Sequence, residues 1–222
     1  MPYTAEHKAR TRARIVERAR VMFNRHGFDQ VSIDDIMKAA GLTRGGFYNH
    51  FSSKQGLYAE AVRSFATCNP FSEGMAKLAR KPSPRQAARQ LVQLYLSDAV
   101  LEDVDQQCPL IALPSDVARA GLAPRAAYTL VVRNMLEVFR AAFPSSDRGA
   151  AFKAQVLLNL CVGGMVVART TDDAVLRRSL RAAALTQALQ LLGSRADRSA
   201  RGRARRNTGA TSPRRKTQEA TA

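Results

Sequence analysis

The chain has 222 residues, of which 45% are apolar and 6% aromatic, and 35 Lys and Arg against 18 Asp and Glu give it a formal net charge of +17. This length allows one or two domains with a sizeable core. The longest apolar stretch, 156–168, contains Asn159 and is shorter than the roughly 18 to 20 residues that a membrane-spanning helix needs. Because the N-terminus also has no apolar signal segment, we expect a soluble, cytoplasmic protein without a membrane partner.

The positive charge is densest at the C-terminus. Residues 1–66 hold 11 cations and 6 anions, residues 67–193 hold 15 and 10, and residues 194–222 hold 9 and 2. The last segment has no apolar periodicity, so we expect a disordered, Arg-rich tail. Such a tail either strengthens sequence-independent binding to nucleic-acid phosphates or only reflects a basic composition.

Residues suited to catalysis or metal binding do not cluster in the sequence. The three histidines and three cysteines have neither CxxC spacing nor a Ser/His/Asp grouping, and no Gly-rich phosphate loop is present. The adjacent carboxylates Asp34-Asp35 and Asp172-Asp173 suit helix caps. We therefore expect neither an enzyme nor a metal site, and no cofactor.

The first predicted helix has apolar residues at helical spacing from Ile15 to Phe23 and a stop at Gly27. Its opposite face is basic. We expect the cations of residues 8–14 to be free to reach phosphates, and Arg18 and Arg20 to stay in solvent.

Residues 32–51, SIDDIMKAAGLTRGGFYNHF, have the layout of a helix-turn-helix. Ser32 is a suitable N-cap and Asp35 completes a capping box. Apolar residues at helical spacing follow, and Gly41 stands where a helix most easily stops.

A second short helix is predicted over 44–50, with Thr43 as its cap and Phe47 as its anchor. Arg44 is the candidate for reading a guanine edge in a major groove, because its guanidinium can donate two hydrogen bonds. Glycines are poor helix formers but allow close approach of a backbone to another surface. The predicted exposed side of this helix contains Arg44, Gly45, Tyr48, Asn49 and His50.

The next helix is predicted to begin near Ser52 or Ser53, with Gln55 completing a Ser52 capping box. Lys54 would lie in the first turn, where the helix dipole disfavours a cation and a phosphate would reverse that penalty. Ser53 and Lys54 therefore suggest a clamp on a DNA phosphate.

A helical hairpin alone is common in all-helical proteins, but the order TRGGFYNHF after AAGL and before Ser53-Lys54 and Leu57 is more specific. It closely resembles the N-terminal domain of TetR-family transcriptional regulators. The resemblance implies that Tyr48 and His50 lie against phosphates. The complete set of predicted DNA-binding residues is Ser32, Thr43, Arg44, Gly45, Tyr48, Asn49, His50, Ser53 and Lys54.

Beyond the hairpin the pattern is helical throughout, and we expect an all-α protein of about nine helices. The predicted spans are 57 toward 80, 85–101, a short helix from Cys108-Pro109, 124–143, 147–169 and 173–192, with Thr171-Asp172 capping the last. The expected domains are a helix-turn-helix DNA-binding domain at 1–66, a helical effector-binding and dimerisation domain at 67–193, and the tail at 194–222.

The last two predicted helices have more apolar surface than one core stripe needs. The Gly163-Gly164 pair suggests a close helix crossing, either with a partner chain or within one chain. The family resemblance implies a four-helix interface in a homodimer that binds a palindrome in double-stranded DNA. The candidate interface residues are Phe152, Val156, Leu160, Gly163, Gly164, Val167, Leu180, Ala184 and Leu189.

The resemblance also implies an unidentified small-molecule effector that enters the middle helices, tilts the fourth helix and releases DNA. The candidate effector-binding residues are Tyr95, Cys108, Leu110, Leu113, Tyr128, Met135 and Phe139.

Two alternatives to a ligand-released repressor stay open. Cys108 precedes Pro109 at a predicted helix N-terminus, where the dipole would lower the thiol pKa; the residue is then either an oxidant or electrophile sensor or an ordinary filler. The second alternative is an architectural protein driven by the basic tail, which would bind all duplexes equally.

Overall fold

The computed structural model describes residues 4–67, 69 and 81–193, and every regular element in these ranges is helical. The elements are α1 (Ala5–His26), α2 (Ile33–Ala39), a 3-10 helix (Arg44–Asn49), α3 (Lys54–Ser64), α4 (Pro84–Tyr95), α5 (Asp98–Glu102), α6 (Pro109–Ala112), α7 (Pro114–Arg119), α8 (Leu122–Arg140), α9 (Ala150–Thr170) and α10 (Ala174–Gly193). The predicted all-α fold is confirmed. Helix α3 ends at Ser64 and residues 65–67 form a turn, so the predicted helix does not run on unbroken; the expected tail, Cys68 and residues 70–80 lie outside the described residues.

The helix predicted over 85–101 is divided into α4 and α5, which raises the number of helices above the expected nine. The Ser97 hydroxyl accepts a hydrogen bond from the Val100 backbone N–H at 3.3 Å and so caps a new helix. The buried Arg181 guanidinium donates to the Leu96 carbonyl at 3.1 Å and also binds Asp98. A long-range side chain thus satisfies the backbone where α4 ends.

A second division separates α6 from α7 at Leu113 and Pro114. Proline has no backbone N–H and disfavours helical geometry in the residue before it, so Pro114 starts a new helix. The cap of α10 also differs from the prediction. It is Asp173, whose Oδ1 accepts from the Val175 and Leu176 backbone N–H groups at 2.8 and 3.0 Å.

Two apolar clusters form the interior. One joins α1, α2, the 3-10 helix and α3, and is completed by Leu113, Val117 and Ala127 from later in the chain. The other lies between α4, α6, α8, α9 and α10. Tyr128 of α8 packs against both clusters. Since α8 also packs extensively on both α3 and α9, it is the main link between the clusters.

The 103–107 loop is bonded to α1. Arg20 donates to the Asp105 carbonyl at 3.0 Å and to Gln106 Oε1 at 2.6 Å. The buried Asn24 amide donates to the Asp105 carbonyl at 3.2 Å, and Arg25 forms an ion pair with the Asp105 carboxylate. The expectation that Arg20 stays in solvent is therefore wrong, because the loop brings acceptors to it.

Helix α9 is long and apolar enough, by length and composition alone, to cross a membrane. In its most apolar 18-residue segment, 28% is buried within the described chain. The exposed fractions of Phe152 and Val167 are 69% and 48%. The helix thus leaves apolar surface unburied in the single chain.

The adjacent residues Gly163 and Gly164 have different surroundings. Among the described residues, nothing lies within 4 Å of a Cβ built on Gly163, whereas a Cβ on Gly164 would lie 2.9 Å from Ala184 Cβ. Gly164 and the buried Ala184 therefore make a close α9–α10 crossing within one chain. The other candidate interface residues that are neither exposed nor fully buried are Val156, Leu160, Leu180 and Leu189.

Candidate nucleic-acid interface

The predicted capping box starts α2. The Asp35 backbone N–H donates to Ser32 Oγ at 3.1 Å, and the Ser32 backbone N–H donates to Asp35 Oδ2 at 3.2 Å. Hydrogen bonds from Ser32 lower the pKa of the Asp35 carboxyl below its ordinary value. The Ser32 side chain is exposed, but its hydroxyl already serves the cap.

Gly41 ends α2, as predicted. Its φ of 67° lies in the left-handed region, which glycine adopts without steric cost. The Gly41 N–H donates to the Lys38 carbonyl at 3.0 Å and the Leu42 N–H donates to the Met37 carbonyl at 2.8 Å. These are the two hydrogen bonds of a Schellman motif, and they set the direction in which the chain leaves α2.

The second helix of the motif is a 3-10 helix rather than an α-helix, and it spans Arg44–Asn49. The predicted Thr43 side-chain cap is not formed within the described part of the chain. Gly45-Gly46 lowers the helix propensity of this segment, so packing of the fully buried Phe47 holds it in place. The Phe47 ring lies 5.7 Å from the Phe51 ring, centroid to centroid.

The outer side of this helix is open to a partner. Arg44, Gly45 and Asn49 are exposed, and Tyr48 is 61% exposed with its ring edge against Phe47. A Cβ built on Gly45 meets no described atom within 4 Å. The surface is therefore flat enough around Gly45 for a duplex to approach the backbone closely.

Arg44 is held by an acid on the neighbouring helix. Its Nη1 lies 2.9 Å from Asp34 Oδ2, and both side chains are more than half exposed. An exposed ion pair of this kind adds little stability. The ion pair instead orients the Arg44 side chain, because the Asp34 carboxylate holds one edge of the guanidinium and leaves the other nitrogens available to a base. Asp34 was predicted only as a helix-cap acid, and its contact with Arg44 was not predicted.

His50 is less accessible than predicted. The ring Nδ1 is buried without a partner among the described residues, and its side chain is partly covered. Burial, followed by the nearby charges of Lys8 and Arg12, lowers the pKa of His50 below its ordinary value. The imidazole is thus neutral near pH 7 and offers a phosphate a hydrogen bond at most, not a charge.

The start of α3, where a phosphate clamp is predicted, differs from the prediction in its N-cap. Ser53, not Ser52, is the N-cap, and its hydroxyl accepts from the Gly56 backbone N–H at 3.1 Å. The Lys54 ammonium lies 4.3 Å from the centroid of the Phe28 ring, and burial lowers the pKa of Lys54. The dipole of α3 disfavours a cation at this position, and the cation–π contact with the Phe28 ring stabilises the Lys54 ammonium there.

Arg12 links α1 to the rest of the helix-turn-helix. It was expected to be free to contact phosphates, but its guanidinium is bonded within the chain. Its Nε donates to Glu60 Oε1 at 3.0 Å, and its terminal nitrogens bind the other Glu60 oxygen and the His50 carbonyl. The guanidinium also stacks 4.0 Å from the centroid of the Phe51 ring. Arg12 thereby orients the end of the 3-10 helix, while Lys8 and Arg14 stay exposed.

A cavity of about 310 Å³ lies among the middle helices and is called the central cavity below. Of the candidate effector residues, Tyr95, Cys108 and Met135 line it. The remaining four lie elsewhere in the two apolar clusters: Leu110, Leu113, Tyr128 and Phe139. Three lining amides, Asn69, Gln106 and Asn134, were not predicted, because no apolar pattern could single them out.

Cys108 caps α6 as predicted, but its pKa moves in the direction opposite to the expectation. Burial raises the pKa of the thiol to about 11, and this effect outweighs the nearby Leu110 and Ile111 backbone N–H groups and the Tyr95 hydroxyl, which favour the thiolate. A buried thiol of this pKa is almost entirely protonated near pH 7. Cys108 therefore lacks the lowered thiol pKa that was expected of a reactive sensor.

Comparison with known proteins agrees with this geometry. Residues 15–61, which run from α1 into α3, match the family described as bacterial regulatory proteins, tetR family. The chain is 30% identical over 95 residues to the uncharacterized HTH-type transcriptional regulator YfiR of Bacillus subtilis (strain 168), covering 43% of each protein. It is 32% identical over 50 residues to IcaR of Staphylococcus aureus (strain Newman), the biofilm operon icaADBC HTH-type negative transcriptional regulator, covering 22% of this chain and 27% of IcaR.

The chain thus spans less than half the length of these curated relatives. The fold is similar to the crystal structure of a TetR-family transcriptional regulator from Agrobacterium tumefaciens, with a TM-score of 0.63 and 18% identity over 81% of this chain and 98% of that one. These relatives and this structure are described as transcriptional regulators. Residues 15–61 of the chain are thus similar to the DNA-binding segment of the tetR family, and the described helices have a fold similar to that of a solved TetR-family regulator.

Proposed function

We propose that this chain is a DNA-binding transcriptional repressor that binds a palindromic operator in the cytoplasm and is released by a small molecule. The observation that carries the proposal is the exposed Arg44 at the start of a short helix whose buried face is anchored by Phe47. Arg is the residue best suited to paired hydrogen bonds with a guanine edge. Repression is supported by the similarity to IcaR, which is a negative transcriptional regulator.

The proposed repressor is a homodimer joined through α9 and α10. Support comes from the apolar surface that α9 leaves exposed, centred on Phe152, Gly163 and Val167. Burying this surface against a second copy is favourable by about 25 cal/mol per Å². Two-fold symmetry would then present two recognition helices to two half-sites.

The two adjacent glycines give a paired test of this interface. Gly164→Ala should lower the free energy of unfolding by about 1 to 3 kcal/mol, because the new Cβ meets Ala184 Cβ, which cannot move without its backbone. Gly163→Ala should leave the unfolding of the dilute monomer unchanged or slightly stabilised, but weaken dimerisation. Urea unfolding at low concentration and sedimentation at several concentrations separate the two effects. Equal behaviour of the two variants would contradict this assignment.

The proposed effector site is the central cavity. It is bounded by Phe65 and Ala66 just after α3, and by Cys108 at the start of α6. A ligand that prefers the DNA-free arrangement of these elements would release DNA by shifting the population.

The function is tested by selecting bound fragments from random duplex DNA with the full chain. We expect enrichment of a palindrome with half-sites about one helical turn apart. An architectural protein would instead leave the pool without a common sequence. Recovery of an unenriched pool would therefore overturn the repressor proposal.

A further inference from the structure

The central cavity has a graded chemistry from its interior to its opening. Tyr95, Cys108 and Met135 line it and are buried, whereas Leu94, Gln106 and Asn134 line it and are exposed. The exposed group therefore marks the opening. The other polar groups of the described lining are the Tyr95 hydroxyl, the Cys108 thiol and the half-buried Asn69 amide, whose Nδ2 donates to the Phe65 carbonyl at 3.1 Å.

None of the described lining residues is charged. A charged ligand in such a cavity would lose its hydration without gaining a counter-charge, and that loss is costly. The volume of about 310 Å³ lies at the small end of ligand pockets. It equals about ten water molecules at roughly 30 Å³ each, so the ligand has on the order of ten non-hydrogen atoms.

The two amides at the opening have fixed orientations. Gln106 Oε1 accepts from Arg20 Nη2 at 2.6 Å, and because a guanidinium only donates, the accepting atom must be the oxygen. The Asn134 Nδ2 donates to the Ala66 carbonyl at 3.1 Å, so its oxygen is the remaining acceptor. The opening therefore offers the Gln106 NH₂ as a donor and the Asn134 Oδ1 as an acceptor.

We propose that the central cavity binds a small, uncharged molecule with an apolar body and one polar group, such as a hydroxyl or carbonyl, that is held by Gln106 and Asn134. The apolar body lies toward Tyr95 and Met135. This ligand class rests on the proposed function only in taking the cavity as the effector site. Gln106 is also bonded to Arg20 of α1, so the group that binds the ligand is already joined to the DNA-binding helices.

The charge selectivity is tested with probes of matched size. Isothermal titration of the full chain at pH 7 compares benzyl alcohol, ethylbenzene, benzoate and benzylammonium. We expect benzyl alcohol to bind at least tenfold more tightly than either ion. Equal or tighter binding of benzoate or benzylammonium, or no binding of any probe, would overturn the proposal.

The role of Gln106 is tested by replacing it with an apolar side chain of similar size. Gln106→Leu should weaken benzyl alcohol binding about three- to tenfold, the range of one neutral hydrogen bond, and leave ethylbenzene binding unchanged. Gln93→Leu is the matched control, since Gln93 is an exposed residue of α4 outside this cavity. Leu94→Trp at the opening should weaken both probes, which ties their binding to this cavity.

Identical affinities in Gln106→Leu and Gln93→Leu, or unchanged binding in Leu94→Trp, would contradict the assignment. Sequence-specific DNA binding is measured separately on the same samples. Its absence would refute the proposed function while leaving the ligand selectivity intact. Loss of the selectivity with intact DNA binding would refute only the ligand class.

Discussion

Replacing Val167 by Arg is expected to convert the proposed dimer into a monomer and to reduce operator affinity by about 10² to 10⁴-fold, the range lost when two linked sites become one. The Val167 side chain is 48% exposed on α9, so the single chain tolerates a larger, charged residue there. Within a dimer interface the same charge would be buried without a partner. Sedimentation gives the mass, and fluorescence anisotropy with a labelled operator gives the affinity.

The matched control is Leu122→Arg, which puts the same charge on an 86% exposed apolar residue at the start of α8, outside α9 and α10. It should stay dimeric and bind the operator like the unaltered chain. Circular dichroism of both variants confirms that they are folded. A Val167→Arg chain that remains a dimer, or an unaltered chain that is monomeric at micromolar concentration, would remove the basis of the proposed interface.

Replacing Arg44 by Ala is expected to reduce affinity for the preferred operator by about 100-fold, because each paired Arg–guanine contact contributes about 1 to 3 kcal/mol and a dimer contains two. Affinity for unrelated duplexes should fall much less, since phosphate contacts supply most of that binding. Competition between operator and unrelated DNA measures both quantities at one salt concentration.

Arg148→Ala serves as the control for charge, because Arg148 is exposed in the segment between α8 and α9. It removes one positive charge and leaves the helix-turn-helix intact, so the ratio of operator to unrelated binding should not change. If Arg44→Ala weakens operator and unrelated DNA by the same factor, Arg44 contacts phosphates and another residue reads the bases.

The parts of the motif that the sequence predicted correctly depend on neighbours in the chain. The Ser32–Asp35 capping box and the Gly41 stop are formed by residues within five positions of one another. Such contacts follow from local backbone geometry alone. For the same reason the buried positions of Phe47 and Phe51 were predictable from their spacing.

The contacts that were not predicted join residues far apart in the sequence. Arg12 was expected to be free to reach DNA phosphates but binds Glu60, 48 positions later. Arg20 meets Gln106, 86 positions later. The contact between Lys54 and the Phe28 ring was not predicted either, while the phosphate contact of Lys54 stays a prediction. An arginine or lysine on a predicted exposed face has no local signal for such partners, so tertiary packing alone decides them.

The predicted lowering of the Cys108 pKa was wrong for a related reason. The Cys-Pro pair correctly predicted a helix start, and a helix N-terminus does favour a thiolate. The pKa depends more strongly on burial, which the surrounding helices determine and which raises it to about 11. Local sequence therefore gave the position of the thiol but not its reactivity.

The central claim is that two copies of the chain read the two halves of a palindrome. It is tested most directly by measuring binding to the selected duplex and to the same duplex with one half-site scrambled, in the presence of competitor DNA. The account predicts two chains on the intact duplex and at least about 100-fold weaker binding to the scrambled one. Equal affinity for both duplexes, or one chain on the intact site, would contradict it.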